Sequence, residues 1–197
     1  IGKAIAINPK GAGAYISRGA ALRRLGRLQE AVKSYDQAII LKPALAEAYN
    51  NRGNALKDLS QLEAALTSYD KAISLKPDYA EAYNNRGNAL LEMTQLEAAL
   101  ESYERAISLK PDYAEAYSNR GTAFLKLRRL DEAVQSYGRA ITLKSDLAES
   151  YSNLGAALKE LKQFQTALEN CERAIILKPE YAVAHNNRGN VLEVLGQ

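Results

Sequence analysis

Six glycines, Gly19, Gly53, Gly87, Gly121, Gly155 and Gly189, stand 34 residues apart. The prolines keep the same step at Pro9, Pro43, Pro77, Pro111 and Pro179, with Ser145 in the remaining place. Residues 46–79 and 80–113 differ at only seven positions, so the step marks true copies of one segment. A fixed period of this length means a supersecondary unit repeated and stacked, not a globule closed around one core. The chain divides into a partial repeat at 1–11, full repeats at 12–45, 46–79, 80–113, 114–147 and 148–181, and a partial repeat at 182–197. Such an array offers a long surface and rarely an enclosed catalytic pocket.

Within residues 46–79, apolar or small side chains at Ala48, Tyr49, Ala55, Leu56 and Leu59 recur at helical spacing. A break at Ser60–Gln61 precedes a second helical set, Leu62, Ala65, Leu66, Tyr69, Ala72, Ile73 and Leu75. Pro77 ends that helix, because its ring and missing N–H forbid continuation. Asp78, Tyr79, Ala80 and Glu81 read as a capping box that opens the next helix. Each repeat is therefore expected to be a helix–turn–helix pair. Gly53 and Ala65 are small where the two helices must approach closely, and Tyr49 and Tyr69 supply bulk.

Apolar residues make up 47% and charged residues 25%, with a net charge of +3. That charge is too small to argue for nucleic acid or an anionic membrane, and no apolar run is long enough to span a bilayer. One cysteine excludes a disulfide framework or a Cys-cluster metal site. The opening, IGKAIAINPK, lacks the plan of a signal peptide and matches the end of a repeat, so a cytoplasmic location is expected. Both ends read as parts of a longer array, in which a targeting signal would lie elsewhere. Their half-repeats leave Ile1, Ile5, Val191, Leu192 and Leu195 without the usual cover, and weak head-to-tail self-association is expected there.

The residues Tyr83, Arg86-Gly87, Leu90, Ala99, Tyr103, Ala106 and Pro111 follow the pattern of the tetratricopeptide repeat, which the whole chain resembles. The resemblance implies an all-α fold, a right-handed α-solenoid of stacked helix–turn–helix repeats with period 34. It also implies that the first helices line a concave groove that holds peptides or protein segments. One departure is systematic: the residue before the glycine, usually Leu in the family, is Arg18, Arg52, Arg86, Arg120 and Arg188, and Leu only at Leu154. Sixteen residues upstream of the last five of these places stand Asp36, Asp70, Glu104, Gly138 and Glu172. The single non-acid falls opposite the single non-arginine, which predicts a ladder of ion pairs between neighbouring repeats.

Two residues before the glycines stand Asn51, Asn85, Asn119, Asn153 and Asn187, with Ser17 in the first full repeat. Around them lie Asn50 and Asn84, and one turn on Asn54 and Asn88. By the resemblance this face looks into the groove. An amide offers two donors and an acceptor, enough to clamp a peptide unit of a ligand's backbone. The phrase AYNNRGNAL is similar to the tetratricopeptide arm of O-linked N-acetylglucosamine transferases, where such asparagines hold extended substrate protein, and to bacterial scaffold proteins. The carboxylate-gripping mode of the family needs groove cations, but Asn50, Asn84, Glu81, Glu115 and Asn119 occupy those places.

His185 stands where Tyr49, Tyr83, Tyr117 and Tyr151 stand, and reads as a substituted packing aromatic. Cys171 replaces Tyr35, Tyr69, Tyr103 and Tyr137, and reads as a small buried thiol. No nucleotide loop, zinc spacing or catalytic triad is present, so no catalytic residue, metal site or cofactor is expected. Three functions stay open: a scaffold binding extended peptide, the substrate-presenting arm of a larger enzyme such as a glycosyltransferase, or an assembly module.

Overall fold

The computed structural model describes residues 11–196. Ile1 and Ile5, expected to lack their usual cover, and with them the leading half of a head-to-tail contact, lie outside the described residues. The described residues form two compact units, one ending at Leu109 and the other beginning at Lys110. In the first unit α1 (Ala12–Arg24), α2 (Leu28–Leu41), α3 (Ala46–Asp58), α4 (Leu62–Leu75), α5 (Ala80–Glu92) and α6 (Leu96–Leu109) make three helix pairs. The second unit holds α7 (Ala114–Lys126), α8 (Leu130–Leu143), α9 (Ala148–Glu160), α10 (Phe164–Leu177) and α11 (Ala182–Leu195). All eleven helices among the described residues follow the 34-residue step, the α-solenoid plan.

The second helices carry one motif four times, Ala-x-x-Ser-Tyr-x-x-Ala. In α4 it is Ala65, Ser68, Tyr69 and Ala72, all buried. The alanines let the neighbouring backbones come close, and the tyrosine fills the space beside the glycine of the first helix. A Cβ built on Gly53 would stand 2.5 Å from the Tyr69 ring, and one on Gly87 2.5 Å from Tyr103. That distance is far inside van der Waals contact, so only glycine fits. The hydroxyl of Tyr69 donates to Asn54 Oδ1 and that of Tyr103 to Asn88 Oδ1, each at 2.8 Å. A buried phenol is thereby satisfied within its own pair.

Helix ends differ from the expected capping box. The N-cap of α5 is Tyr79, with no side-chain cap bond. The backbone amides of Ala82 and Tyr83 donate instead to the carbonyl oxygen of Tyr79, at 3.0 and 3.2 Å. Glu81 sits in the first turn, where the positive end of the helix dipole favours a carboxylate. The connecting loop is closed from above by cations over rings: Lys76 lies 4.7 Å from the Tyr79 ring centre and Lys110 4.6 Å from that of Tyr113. Where the ring is absent, at Leu147, Lys144 pairs with Glu115 at 2.9 Å instead.

The turn inside each pair holds one residue in the left-handed region. It is glycine at Gly26, but Ser60, Thr94, Arg128 and Lys162 take the same conformation at φ 59–61°. A side chain is strained there, most of all a β-branched one. Thr94→Gly is expected to stabilise the protein by about 0.5–1 kcal/mol, the strain relieved less the extra unfolded-state freedom of glycine. Calorimetry checks this through a rise of a few degrees in Tm, and a fall would refute it.

Candidate peptide-binding face

Within each unit the first helices touch one another, α1 with α3 and α3 with α5, and α7 with α9 and α9 with α11. The second helices of a unit make no such mutual contact. The first helices are thus the closer-packed row, and the inner side of each stack is theirs. Asn51 and Asn85 lie on this row in the first unit, and Asn119, Asn153 and Asn187 in the second; all five are partly exposed.

Successive asparagines do not share one environment, because adjacent helical residues are rotated by about 100°. Asn50 and Asn84, expected to line the groove, are each only 5% exposed. The Nδ2 of Asn85 donates to Asn50 Oδ1 at 3.0 Å, so Asn50 anchors the rung of the following repeat instead of facing a ligand. The second unit repeats the link in other chemistry: Asn187 Nδ2 donates to the hydroxyl and carbonyl oxygens of Ser152, at 3.0 and 3.2 Å. Ser150 and Ser118 bond through their hydroxyls at 2.7 Å. Asn54 and Asn88 stand one turn on, each with its oxygen committed to a buried tyrosine. Asn85 and Asn187 are therefore each held from behind by a buried polar residue of the preceding repeat, Asn50 and Ser152.

The arginine ladder forms in the first unit and gains a partner that sequence reasoning missed. Arg52 Nε donates to Asp36 at 2.7 Å across neighbouring repeats, while its other nitrogen donates to Ser68 Oγ of its own repeat at 2.8 Å. Arg86 repeats this with Asp70 at 2.7 Å and Ser102 at 2.8 Å. Each guanidinium thus ties three helices together. The serines recur with period 34, at Ser34, Ser68, Ser102 and Ser136, and that spacing was the available signal. The ion pairs are 30–57% exposed, so each contributes less than about 1 kcal/mol and chiefly sets register. In the second unit Arg120 Nε reaches Ser136 Oγ at 3.2 Å. Arg188 departs from the expected ladder: it makes no ion pair with Glu172, and its Nε is buried without a hydrogen-bond partner.

Burial pushes the Tyr137 phenol up to about 12 and the Cys171 thiol to about 11, with Cys171 packed where the other repeats place tyrosine. Protonated and enclosed at neutral pH, that thiol is a packing group. His185, read as a packing aromatic, is exposed, with Nε2 2.7 Å from the carbonyl oxygen of Pro179. No group of three or more His, Cys, Asp or Glu able to hold a metal ion occurs among the described residues. None of the described helices is long and apolar enough to cross a membrane.

A family model described as TPR repeat matches residues 19–60, 53–93, 87–128 and 126–162. A second, described as tetratricopeptide repeat, matches residues 148–181. None of the curated protein sequences matches the chain. Among solved structures the chain is similar to YrrB, a TPR protein with an unusual peptide-binding site, at 25% identity and a TM-score of 0.71; the match covers 95% of this chain and 96% of YrrB. It is similar to MamA at 25% identity and a TM-score of 0.73, over 83% of this chain and 96% of that one. Pseudomonas aeruginosa pilF shares the fold at 18% identity and a TM-score of 0.86, over 94% of this chain and 84% of that one.

Proposed function

Since the chain belongs to the tetratricopeptide-repeat family, we propose that it is a protein-interaction scaffold whose first helices hold extended peptide segments by their backbone. The observation that carries this reading is the two-layer arrangement of asparagines. Asn85 spends one N–H on the buried Asn50, and its amide carries a second N–H and a carbonyl oxygen. The anchoring bond fixes the side chain before a ligand arrives, which lowers the ordering cost of binding. YrrB, whose fold and repeats this chain shares, is a peptide-binding TPR protein, and this supports the same use here.

Amide clamps recognise a peptide's backbone more than its side chains, so affinity should be modest and selectivity low. Neighbouring first helices stand roughly 8–10 Å apart, and an extended peptide advances about 3.3 Å per residue. One rung then meets about every third ligand residue. The test is titration of unstructured peptides into the parent and into the Asn51→Ala, Asn85→Ala double variant, with circular dichroism to show that both are folded. Each lost amide contact removes roughly 0.5–1.5 kcal/mol, so affinity should fall by about an order of magnitude or more. Unchanged affinity in the double variant would refute the groove reading.

A further inference from the structure

Glu47 stands four residues before Asn51 and Glu81 four before Asn85, so each glutamate shares one face of its helix with the asparagine. Both are exposed, in the first turns of α3 and α5. At the other end of the same helices, Asp58 pairs with Arg23 at 2.6 Å and Glu92 with Lys57 at 3.2 Å. Glu47 and Glu81 make no ion pair with any described residue. For Glu47 the reason lies in the loop before α5. In the second unit Lys144 reaches Glu115 at 2.9 Å, and Leu147 follows it in the loop. In the first unit Lys76 and Tyr79 hold the places of Lys144 and Leu147, and Lys76 follows Glu47 by the same step that separates Lys144 from Glu115. Lys76 lies instead over the Tyr79 ring, 4.7 Å from its centre, and the glutamate is left without it. Burial pushes the Tyr79 phenol up, the charges of Glu47 and then Glu81 add to the rise, and a hydrogen bond with Asn50 acts the other way. Both carboxylates thus act on the group beside Asn50, the residue that holds Asn85.

We propose that the groove of the first unit selects extended peptides that carry lysine or arginine, with Glu47 and Glu81 as its specificity-determining residues. This rests on the peptide-groove reading and adds a side-chain preference to the backbone clamp. An amide clamp treats basic and acidic segments alike. Two unpaired carboxylates beside it do not, because a cation gains an ion pair there and an anion meets repulsion. Neighbouring first helices stand roughly 8–10 Å apart, and an extended chain advances about 3.3 Å per residue. The two basic side chains are then about three residues apart in the ligand. Since both glutamates are exposed, pairing needs little desolvation, and the preference is modest and weakened by salt.

The probes are three fluorescent peptides of glycine and serine, alike except for two lysines, two glutamines or two glutamates placed three residues apart. Fluorescence anisotropy at low salt should show the lysine peptide binding the parent at least about fivefold more tightly than the glutamine peptide, with the glutamate peptide weakest. The Glu47→Gln, Glu81→Gln double variant should bind the lysine and glutamine peptides alike. Tyr79→Leu, which copies the arrangement at Leu147, should release Lys76 to Glu47 and reduce the ratio of the two affinities. Equal binding of the lysine and glutamine peptides by the parent, or a lysine preference that persists in the double glutamine variant, would overturn the proposal. So would a double variant that loses only thermal stability, because the glutamates would then serve the helix dipoles alone. The Asn51→Ala, Asn85→Ala variant should weaken all three peptides and keep their order. Failure of the backbone clamp and failure of the charge preference are therefore read from different variants.

Discussion

Tyr103→Ala is expected to destabilise the protein by about 3–5 kcal/mol, the range for removing a fully enclosed aromatic ring. Tyr103 has no exposed surface. Its ring fills the space against Gly87, and its hydroxyl is the donor to Asn88. Alanine leaves a cavity that the surrounding helices cannot close, because their alanine contacts already set the backbone spacing. At roughly 2–4 °C per kcal/mol for a chain of this size, Tm should drop by about 10 °C or more. Thermal unfolding followed by circular dichroism measures it. A shift of only a degree or two would mean that the ring is not the packing element it looks to be. Cys171 in the fifth full repeat shows that the place accepts a smaller side chain when the neighbourhood changes with it: Ala156 stands there where Asn54 and Asn88 accept the hydroxyl.

The complementary change overfills the same space. Gly87→Ala would put a Cβ 2.5 Å from the Tyr103 ring, and the buried ring has no room to swing away. Overpacking of this kind costs about 1–3 kcal/mol, which outweighs the gain in helix propensity. Gly189→Ala is the control, since nothing lies within 4 Å of its Cβ position. There only the propensity acts, and stability should rise by up to about 1 kcal/mol. The same substitution at two places of one repeat pattern should thus have opposite signs. Equal effects in chemical denaturation would show that glycine is retained for another reason than close approach.

Much of this architecture is legible in the sequence, and the legible parts are local or periodic. The 34-residue step, the helix pair, the stop at Pro77 and the contrast of small Gly53 and Ala65 with bulky Tyr49 and Tyr69 follow from residue types at repeated spacings. The Asp36–Arg52 and Asp70–Arg86 links also follow, because the exception at Gly138 coincides with Leu154 and gives the ladder its direction. In each case the information lies in one repeat and is multiplied by the others.

What only the tertiary structure decided depends on rotation about a helix and on which neighbour arrives. Asn50 and Asn51 are adjacent and identical in chemistry, yet Asn50 is buried against Asn85 of the next repeat while Asn51 stays partly exposed, since a turn of about 100° separates the two positions. The capping box failed because α5 starts at Ala80, with Tyr79 as its N-cap, one residue after the aspartate that would have closed it. The left-handed turn at Ser60 and Thr94 left no mark in their residue types, because tight packing of the pair imposes a conformation that local preference opposes. Ser68 and Ser102 gained their partner only when three helices met at one guanidinium. Arg188 shows the converse: its sequence context matches that of Arg52, but the contact that satisfies Arg52 comes from a helix of another part of the chain, and no spacing within α11 can supply it.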